Sequence, residues 1–244
     1  MNYNIADDEW EWYVGKLFSK LIKDNLKDIK TVVELAPGFR YKIAYALKDV
    51  NFNGTIYIID SDNNVINFVK EKYKEILPDC NIICINKTFE NSIEYLPKKI
   101  NLFLSNHSID DLLIFQNLDN TTSDLKKSIM EAWKEIITNQ NNYYQKSNNV
   151  YNTFLKLKKE KEIDFIIMSQ YKSNIFLEAI NDNIYNYIND TFQKIKLLTN
   201  SNDKIINNSI AKYFPFGEDE ERYNYKELLD NMQNAKHWIC GKFR

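Results

Sequence analysis

The sequence predicts a doubly wound α/β domain: a mostly parallel seven-stranded sheet with helices on both faces, an N-terminal helix, and a helical insertion after the fourth strand. Three observations predict it. Short apolar runs alternate with helical periodicity from Thr31 to Ser105. Five glycines and four prolines in 244 residues are too few for a many-turned all-β chain. A hydrophobic content of 44%, with 14% aromatic, supplies a core for one domain of this size.

The first helix is expected from about Asp8 to Leu26. Asp7 and Asp8 suit its start, and Trp10, Tyr13, Val14, Leu17, Phe18, Leu21 and Ile22 form one apolar stripe. Thr31 to Ala36 reads as a buried strand broken by Pro37-Gly38, and Phe39 to Leu47 as a helix. Thr55 to Ile59 is the second strand, followed by a helix from about Asn63 to Ile76 that Pro78 closes. Strands three and four are Asn81 to Ile85 and Ile100 to Ser105. Parallel strands joined by helices imply right-handed crossovers.

Residues 107–160 carry helical patterns only: a helix from Thr122 to Thr138, an Asn-rich break at Asn139 to Asn142, and a helix from Val150 to Glu160. This block reads as an insertion near the mouth of the sheet, within a single domain of residues 1–244 that has a helical lid at residues 1–28. Ile163 to Ser169 is the fifth strand, and a long amphipathic helix follows from Ser173 to Leu197. Ile210 to Phe214 is expected as a strand, Tyr225 to Met232 as a helix, and His237 to Phe243 as the last strand.

The formal net charge of -2 offers no basic surface for duplex nucleic acid, so no nucleic-acid partner is expected. Of three cysteines, Cys80 and Cys84 share a face of one predicted strand. Their separation of roughly 13 Å is too great for a disulfide. The Cys/His set of a structural zinc site is absent, and no metal is expected. The polar start Met1 to Asp8 lacks a secretory pattern, and no apolar run reaches the roughly 20 residues a bilayer span needs. A cytoplasmic, reducing compartment is the expectation, with no membrane partner.

Two segments carry the chemistry. Thr31-Val-Val-Glu-Leu-Ala-Pro-Gly-Phe-Arg40 is an apolar strand ending in Glu-x-Ala-x-Gly and entering a helix. Ala36 and Gly38 are small enough for a ligand to approach the backbone. The following helix N-terminus offers amide donors to a carboxylate, and Glu34 adds negative charge toward an amine. An ordinary strand–turn–helix corner with a solvated glutamate is the plainer reading of this segment alone. In Gly54-Thr-Ile-Tyr-Ile-Ile-Asp-Ser-Asp62, Asp60 ends the next strand, where a carboxylate can accept from two ribose hydroxyls. Asp60 reads equally as a cap for the next helix, a role that Asp62 fits better. The lone glycine disfavours a dinucleotide-dependent oxidoreductase, which needs G-x-G-x-x-G.

In order and spacing these segments resemble class I S-adenosylmethionine-dependent methyltransferases, over roughly residues 30–115 and with continuation from residue 163. The resemblance implies a Rossmann-like sheet and S-adenosylmethionine as cofactor. Glu34, Ala36 and Gly38 match the first motif, and Asp60, followed by Ser61, matches the ribose-binding acid. Arg40 stands where a third glycine is common. By the same resemblance Thr88 and Phe89 flank adenine after strand three, Asn106 touches the methionine portion, and His107 sits beside the transferable methyl. An imidazole titrates near neutral pH, so His107 is the candidate general base, with a structural histidine as its alternative. Asp110 and Asp111 suit the first turn of a helix, or the positioning of a cationic acceptor or Mg²⁺. Asn106-His-Ser departs from the Asn-Pro-Pro-Tyr signature of DNA-base amino-methyltransferases. Trp10, Trp12 and Tyr13, and the Tyr213 to Phe216 stretch, can cover an acceptor or pack in the core; Gly217 to Arg222 reads as a solvated loop.

The expected activity is methyl transfer to O or N of a small molecule or short peptide. The alternative is a catalytically degenerate methyltransferase fold serving as a binding or scaffold protein.

Overall fold

A computed structural model describes residues 7–114, 125–170, 183–210 and 232–244. Helix α1 (Asp7–Asn25) buries Tyr13, Val14, Leu17, Phe18, Leu21 and Ile22, the stripe its spacing predicts. The side chains of Asp7 and Asp8 lie outside the described residues. Helix α2 (Lys42–Asp49) packs tightly against α1, because Gly15 lets the two backbones approach: a Cβ at Gly15 would sit 2.6 Å from the Lys42 carbonyl oxygen. Asp49 clasps the pair, accepting from Ser19 Oγ at 2.7 Å and from Lys23 Nζ at 2.7 Å, with Lys16 alongside.

The sheet contains β1 (Thr31–Leu35), β2 (Thr55–Asp60), β3 (Asn81–Asn86), β4 (Lys99–Asn106), β5 (Glu162–Ser169) and β6 (Trp238–Gly241). Their order is β3-β2-β1-β4-β5-β6. The first five run parallel, and β6 pairs antiparallel with β5, Trp238 opposite Ser169. This is a doubly wound, Rossmann-like sheet. The strand order reverses between β1 and β4, which opens a crevice at their carboxyl ends.

Alternate residues serve opposite faces. Val32, Leu102, Leu104 and Ile167 pack with α1, α2, α3 (Asn63–Ile76) and the late helix α9 (Asp203–Ile210). Val33, Leu35, Phe103 and Ile166 pack with the short α4 (Phe89–Ser92), α5 (Ile109–Ile114), α6 (Leu125–Thr138), α7 (Gln140–Glu160) and α8 (Asn183–Lys196). Burial on both faces explains the continuous apolar strands.

Several elements differ from expectation. Six strands rather than seven occur among the described residues. Ile210 ends helix α9 and opens no strand; residues 211–214 and 225–231 lie outside the described residues. Helix α2 begins at Lys42 rather than Phe39, because residues 36–41 are spent on a turn. The Asn-rich break is confined to one residue: Asn139 separates α6 from α7 and caps α7, its side chain accepting from the Asn141 N–H at 3.1 Å, whereas residues 140–142 already belong to the helix that runs to Glu160. Trp133, Ile136, Phe154 and Leu157 of residues 107–160 pack into the core beneath the sheet, so this block forms part of its covering layer. Helix α8 is described only from Asn183, and α6 only from Leu125. β6 starts at Trp238, after a single turn at Ala235–His237.

Candidate functional site

The turn after β1 is held open by two left-handed residues, Ala36 at φ 47° and Gly38 at φ 59°. The Ala36 N–H is anchored on the Ile59 carbonyl at 2.8 Å. Gly38 meets no atom within 4 Å where a Cβ would stand, so its backbone borders open space. The Gly38 N–H donates to Asp60 Oδ2 at 3.3 Å, and the Asp62 N–H donates to Asp60 Oδ1 at 3.0 Å. Asp60 therefore joins the β1 turn to the end of β2. Burial raises its pKa, against the lowering effect of these amides. Half-buried Ser61 lies beside it, and Asp62 caps α3 by accepting from the Asn64 N–H at 2.8 Å. A carboxylate has about four lone-pair positions, so Asp60 retains capacity for further donors.

Glu34 is not solvated. It is 2% exposed on the face covered by α3, and the Tyr73 hydroxyl of that helix donates to it. Burial pushes its pKa up to about 8; Tyr73 and Lys42 oppose the rise, and Glu11 and Asp60 add to it. At neutral pH the carboxyl is mostly protonated and offers little negative charge to an amine. The sequence concealed a second carboxyl, Glu11 of α1, which is fully buried. Glu11 accepts from the Tyr41 N–H at 2.7 Å and pairs with Arg40 Nη1 at 3.4 Å. Arg40, in the position of a third glycine, is thus an anchor between α1 and the turn.

At the end of β4, Asn106 Oδ1 accepts from Ser169 Oγ at 2.9 Å. His107 adopts φ 56°, its N–H donating to the Ser169 carbonyl at 2.8 Å. Its Nδ1 lies 3.3 Å from Asp110 Oδ2. Asp110 and Asp111 occupy the first turn of α5. The structure thus brings Ala36, Gly38, Asp60, Ser61, Asn106 and His107 to the carboxyl edge of adjacent strands. Half-buried Thr88 follows β3, whereas Phe89 is 6% exposed and packs at 5.0 Å from Phe154 and 6.1 Å from Phe103, as a core ring. Trp10 stacks on Tyr13 at 6.0 Å, and Trp12 lies 5.3 Å beneath Lys16 Nζ. Tyr213 to Phe216 and Gly217 to Arg222 lie outside the described residues.

Three further residues gather here that no local pattern marks. Buried Gln170 follows β5; its Oε1 accepts from the Ile109 N–H at 3.1 Å, and its own N–H donates to the His237 carbonyl at 2.8 Å. The antiparallel β6 starts at this edge, which delivers His237 to it. The His237 ring is 1% exposed, with Nδ1 3.3 Å from the Tyr185 hydroxyl. Burial lowers its pKa to about 4, and Lys236 adds to the effect. Among the described residues, His237 Nε2 and Asp110 Oδ1 are buried without a hydrogen-bond partner. No group of three or more His, Cys, Asp or Glu positioned to hold a metal occurs among them, the three cysteines are free, and no helix is long and apolar enough to cross a membrane.

No protein-family model matches the chain, and no curated protein does. Among solved structures it is similar to a SAM dependent methyltransferase from Aquifex aeolicus, at 16% identity and TM-score 0.41, covering 75% of this chain and 81% of that one. An rRNA methylase from Streptococcus thermophilus matches at 14% identity and TM-score 0.35, covering 68% and 72%. The CcbJ methyltransferase from Streptomyces caelestis matches at 9% identity and TM-score 0.38, covering 66% and 50%. Likeness this distant assigns neither ligand nor reaction.

Proposed function

We propose that this chain is a class I S-adenosylmethionine-dependent methyltransferase acting on O or N of a small molecule or short peptide. The observation that carries the reading is the link between Gly38 and Asp60. A small-residue, left-handed turn after β1 is bonded to an acid at the end of β2, beside the crevice where the strand order reverses.

The residues fit the cofactor. Open space over Gly38 admits close approach to the backbone, and Asp60 has lone pairs left for a ribose diol. Ala36, Ser61 and Asn106 border the same edge, Thr88 stands beside it after β3, and Phe89 supports that side from the core. Glu34 acts as a buried support of the turn rather than as a charged ligand. Bound S-adenosylmethionine supplies an activated methyl group on a sulfonium. The chain's own tasks are alignment, exclusion of water and proton removal. His107 takes the proton from the acceptor O–H or N–H, and Asp110 orients its imidazole through Nδ1.

Titration calorimetry with S-adenosylmethionine and S-adenosylhomocysteine tests the reading. Micromolar binding supports it, and absence of binding to either removes it. Binding without label transfer to any of a broad acceptor set favours the scaffold alternative, to which the pairing of Arg40 with Glu11 at the third-glycine position lends some support.

A further inference from the structure

His107 and the turn that carries Asp110 are tied to the end of β5 by two adjacent residues. The His107 N–H donates to the Ser169 carbonyl at 2.8 Å, which fixes the backbone of a left-handed residue. The Ile109 N–H donates to Gln170 Oε1 at 3.1 Å, which fixes the residue before Asp110. Gln170 is 2% exposed, and its own N–H is anchored on the His237 carbonyl at 2.8 Å.

The bond to Gln170 does the work of a helix cap. Ser108 accepts the first helical bond of α5, from the Leu112 N–H at 3.0 Å, and so stands at its N-cap. The Ser108 hydroxyl, however, pairs with that of Ser105, which donates on to the Leu35 carbonyl at 3.3 Å. First-turn N–H groups have no partner within their own helix. In α5 the one at Ile109 is met from another strand, by Gln170. Six residues are too few to hold a helix alone. Buried Ile109, Leu113 and Ile114 dock α5, and the bond to Gln170 fixes its first turn.

Asp110 is the next residue of that turn, and its Oδ2 lies 3.3 Å from His107 Nδ1. An ionised carboxylate only accepts, so Nδ1 carries the hydrogen and Nε2 keeps the lone pair that a base needs. Resting on the methyltransferase reading of this edge, we propose that Gln170 is a positioning residue for proton removal. Its side-chain oxygen sets the first turn of α5, that turn sets Asp110, and Asp110 holds His107 in the Nδ1–H form. The proton of the acceptor O–H or N–H then passes to Nε2.

Nitrogen NMR of the full-length, isotope-labelled protein, with both histidine rings neutral, reads the tautomer directly. The chain has only two histidines, so His107→Gln assigns both rings. The parent protein should show His107 chiefly as Nδ1–H. Gln170→Met keeps a side chain of similar length without the acceptor, and should move His107 toward the Nε2–H form that a free imidazole favours. Gln170→Glu, which keeps an oxygen for the Ile109 N–H in either charge state, should restore Nδ1–H. His237 is held through a backbone N–H that every variant keeps, and should not move. Should Gln170→Met not fold, Gln170→Ala removes the same acceptor and takes its place. On an identified acceptor, Gln170→Met should lower kcat roughly ten-fold and leave KM and S-adenosylhomocysteine affinity unchanged.

Four results overturn the role: no Nδ1–H preference in the parent, a His107 ring unmoved by Gln170→Met or not restored by Gln170→Glu, both rings moving together, or an unchanged kcat. Each leaves S-adenosylhomocysteine binding, and with it the methyltransferase reading, intact. The expected tautomer response in a protein that binds neither S-adenosylmethionine nor S-adenosylhomocysteine keeps the positioning of His107 by Gln170 and overturns the methyltransferase reading instead.

Discussion

Glu11 Oε2 accepts a 2.7 Å hydrogen bond from the Tyr41 N–H, so a residue of the first helix satisfies the amide that leads into α2. Its other oxygen faces Arg40. The ordering of the β1 turn is therefore coupled to the docking of α1. Glu11→Ala leaves a buried amide and Arg40 without this acceptor, and should cost about 2–4 kcal/mol in denaturant unfolding. It should also weaken S-adenosylhomocysteine binding, whereas Glu11→Gln, which keeps one oxygen acceptor, should lose less of both. Unchanged affinity in a folded Glu11→Ala protein would show that α1 gives the turn no support.

Asp60 takes amides from Gly38 and Asp62. Asp60→Ala should lower affinity for S-adenosylhomocysteine by more than roughly ten-fold in calorimetry, the equivalent of about 1.4 kcal/mol, with Asp60→Asn falling between. Thermal unfolding of both variants separates this effect from collapse of the turn. Gly38→Ala meets no steric obstacle, so its cost should be the roughly 1–2 kcal/mol of left-handed backbone strain alone.

Glu34 makes stability depend on pH. Its pKa rises from 4.5 in the unfolded chain to about 8 in the fold. Below 4.5 it is protonated in both states and its contribution is complete. Between 4.5 and 8 the unfolded chain ionises while the fold does not, so stability falls as pH rises, at about 1.4 kcal/mol per pH unit. Glu34→Gln keeps an acceptor for Tyr73 and cannot ionise. It should flatten this slope in unfolding measured from pH 4.5 to 8, and a slope identical to the parent protein would contradict the burial argument.

Proton removal by His107 predicts a separation of effects. His107→Gln should reduce turnover on an identified acceptor by at least roughly 10²-fold, while affinity for S-adenosylhomocysteine stays unchanged. Asp110→Asn should lower turnover less, because it disturbs only the orientation of the ring at its 3.3 Å Nδ1 contact. Full turnover by His107→Gln at every pH would leave His107 with the structural role of its left-handed turn.

Much of this architecture was legible locally. The apolar runs of β1 to β5, the cap at Asp62 and the acidic first turn of α5 each follow from residues a few positions apart. Boundaries were less legible where one residue type serves two ends: Asn139 both breaks the chain after α6 and caps α7, while Asn141 and Asn142, expected in the break, are helical, because asparagine suits loops and helix starts alike. Glu34 reads in sequence as a charge beside a turn; its partner Tyr73 lies on another helix, and burial decides its protonation.

By itself the sequence determined the alternation of strands and helices, and with it the adjacency of the Ala36–Gly38 turn and Asp60, since period and spacing are local properties. The tertiary structure alone decided which charges are buried, that Arg40 is held by Glu11, and that Gln170 ties the start of α5 to the His237 backbone. Those relationships join segments that only the folded sheet brings together. Desolvation and hydrogen-bond partnership depend on that three-dimensional neighbourhood and not on spacing along the chain.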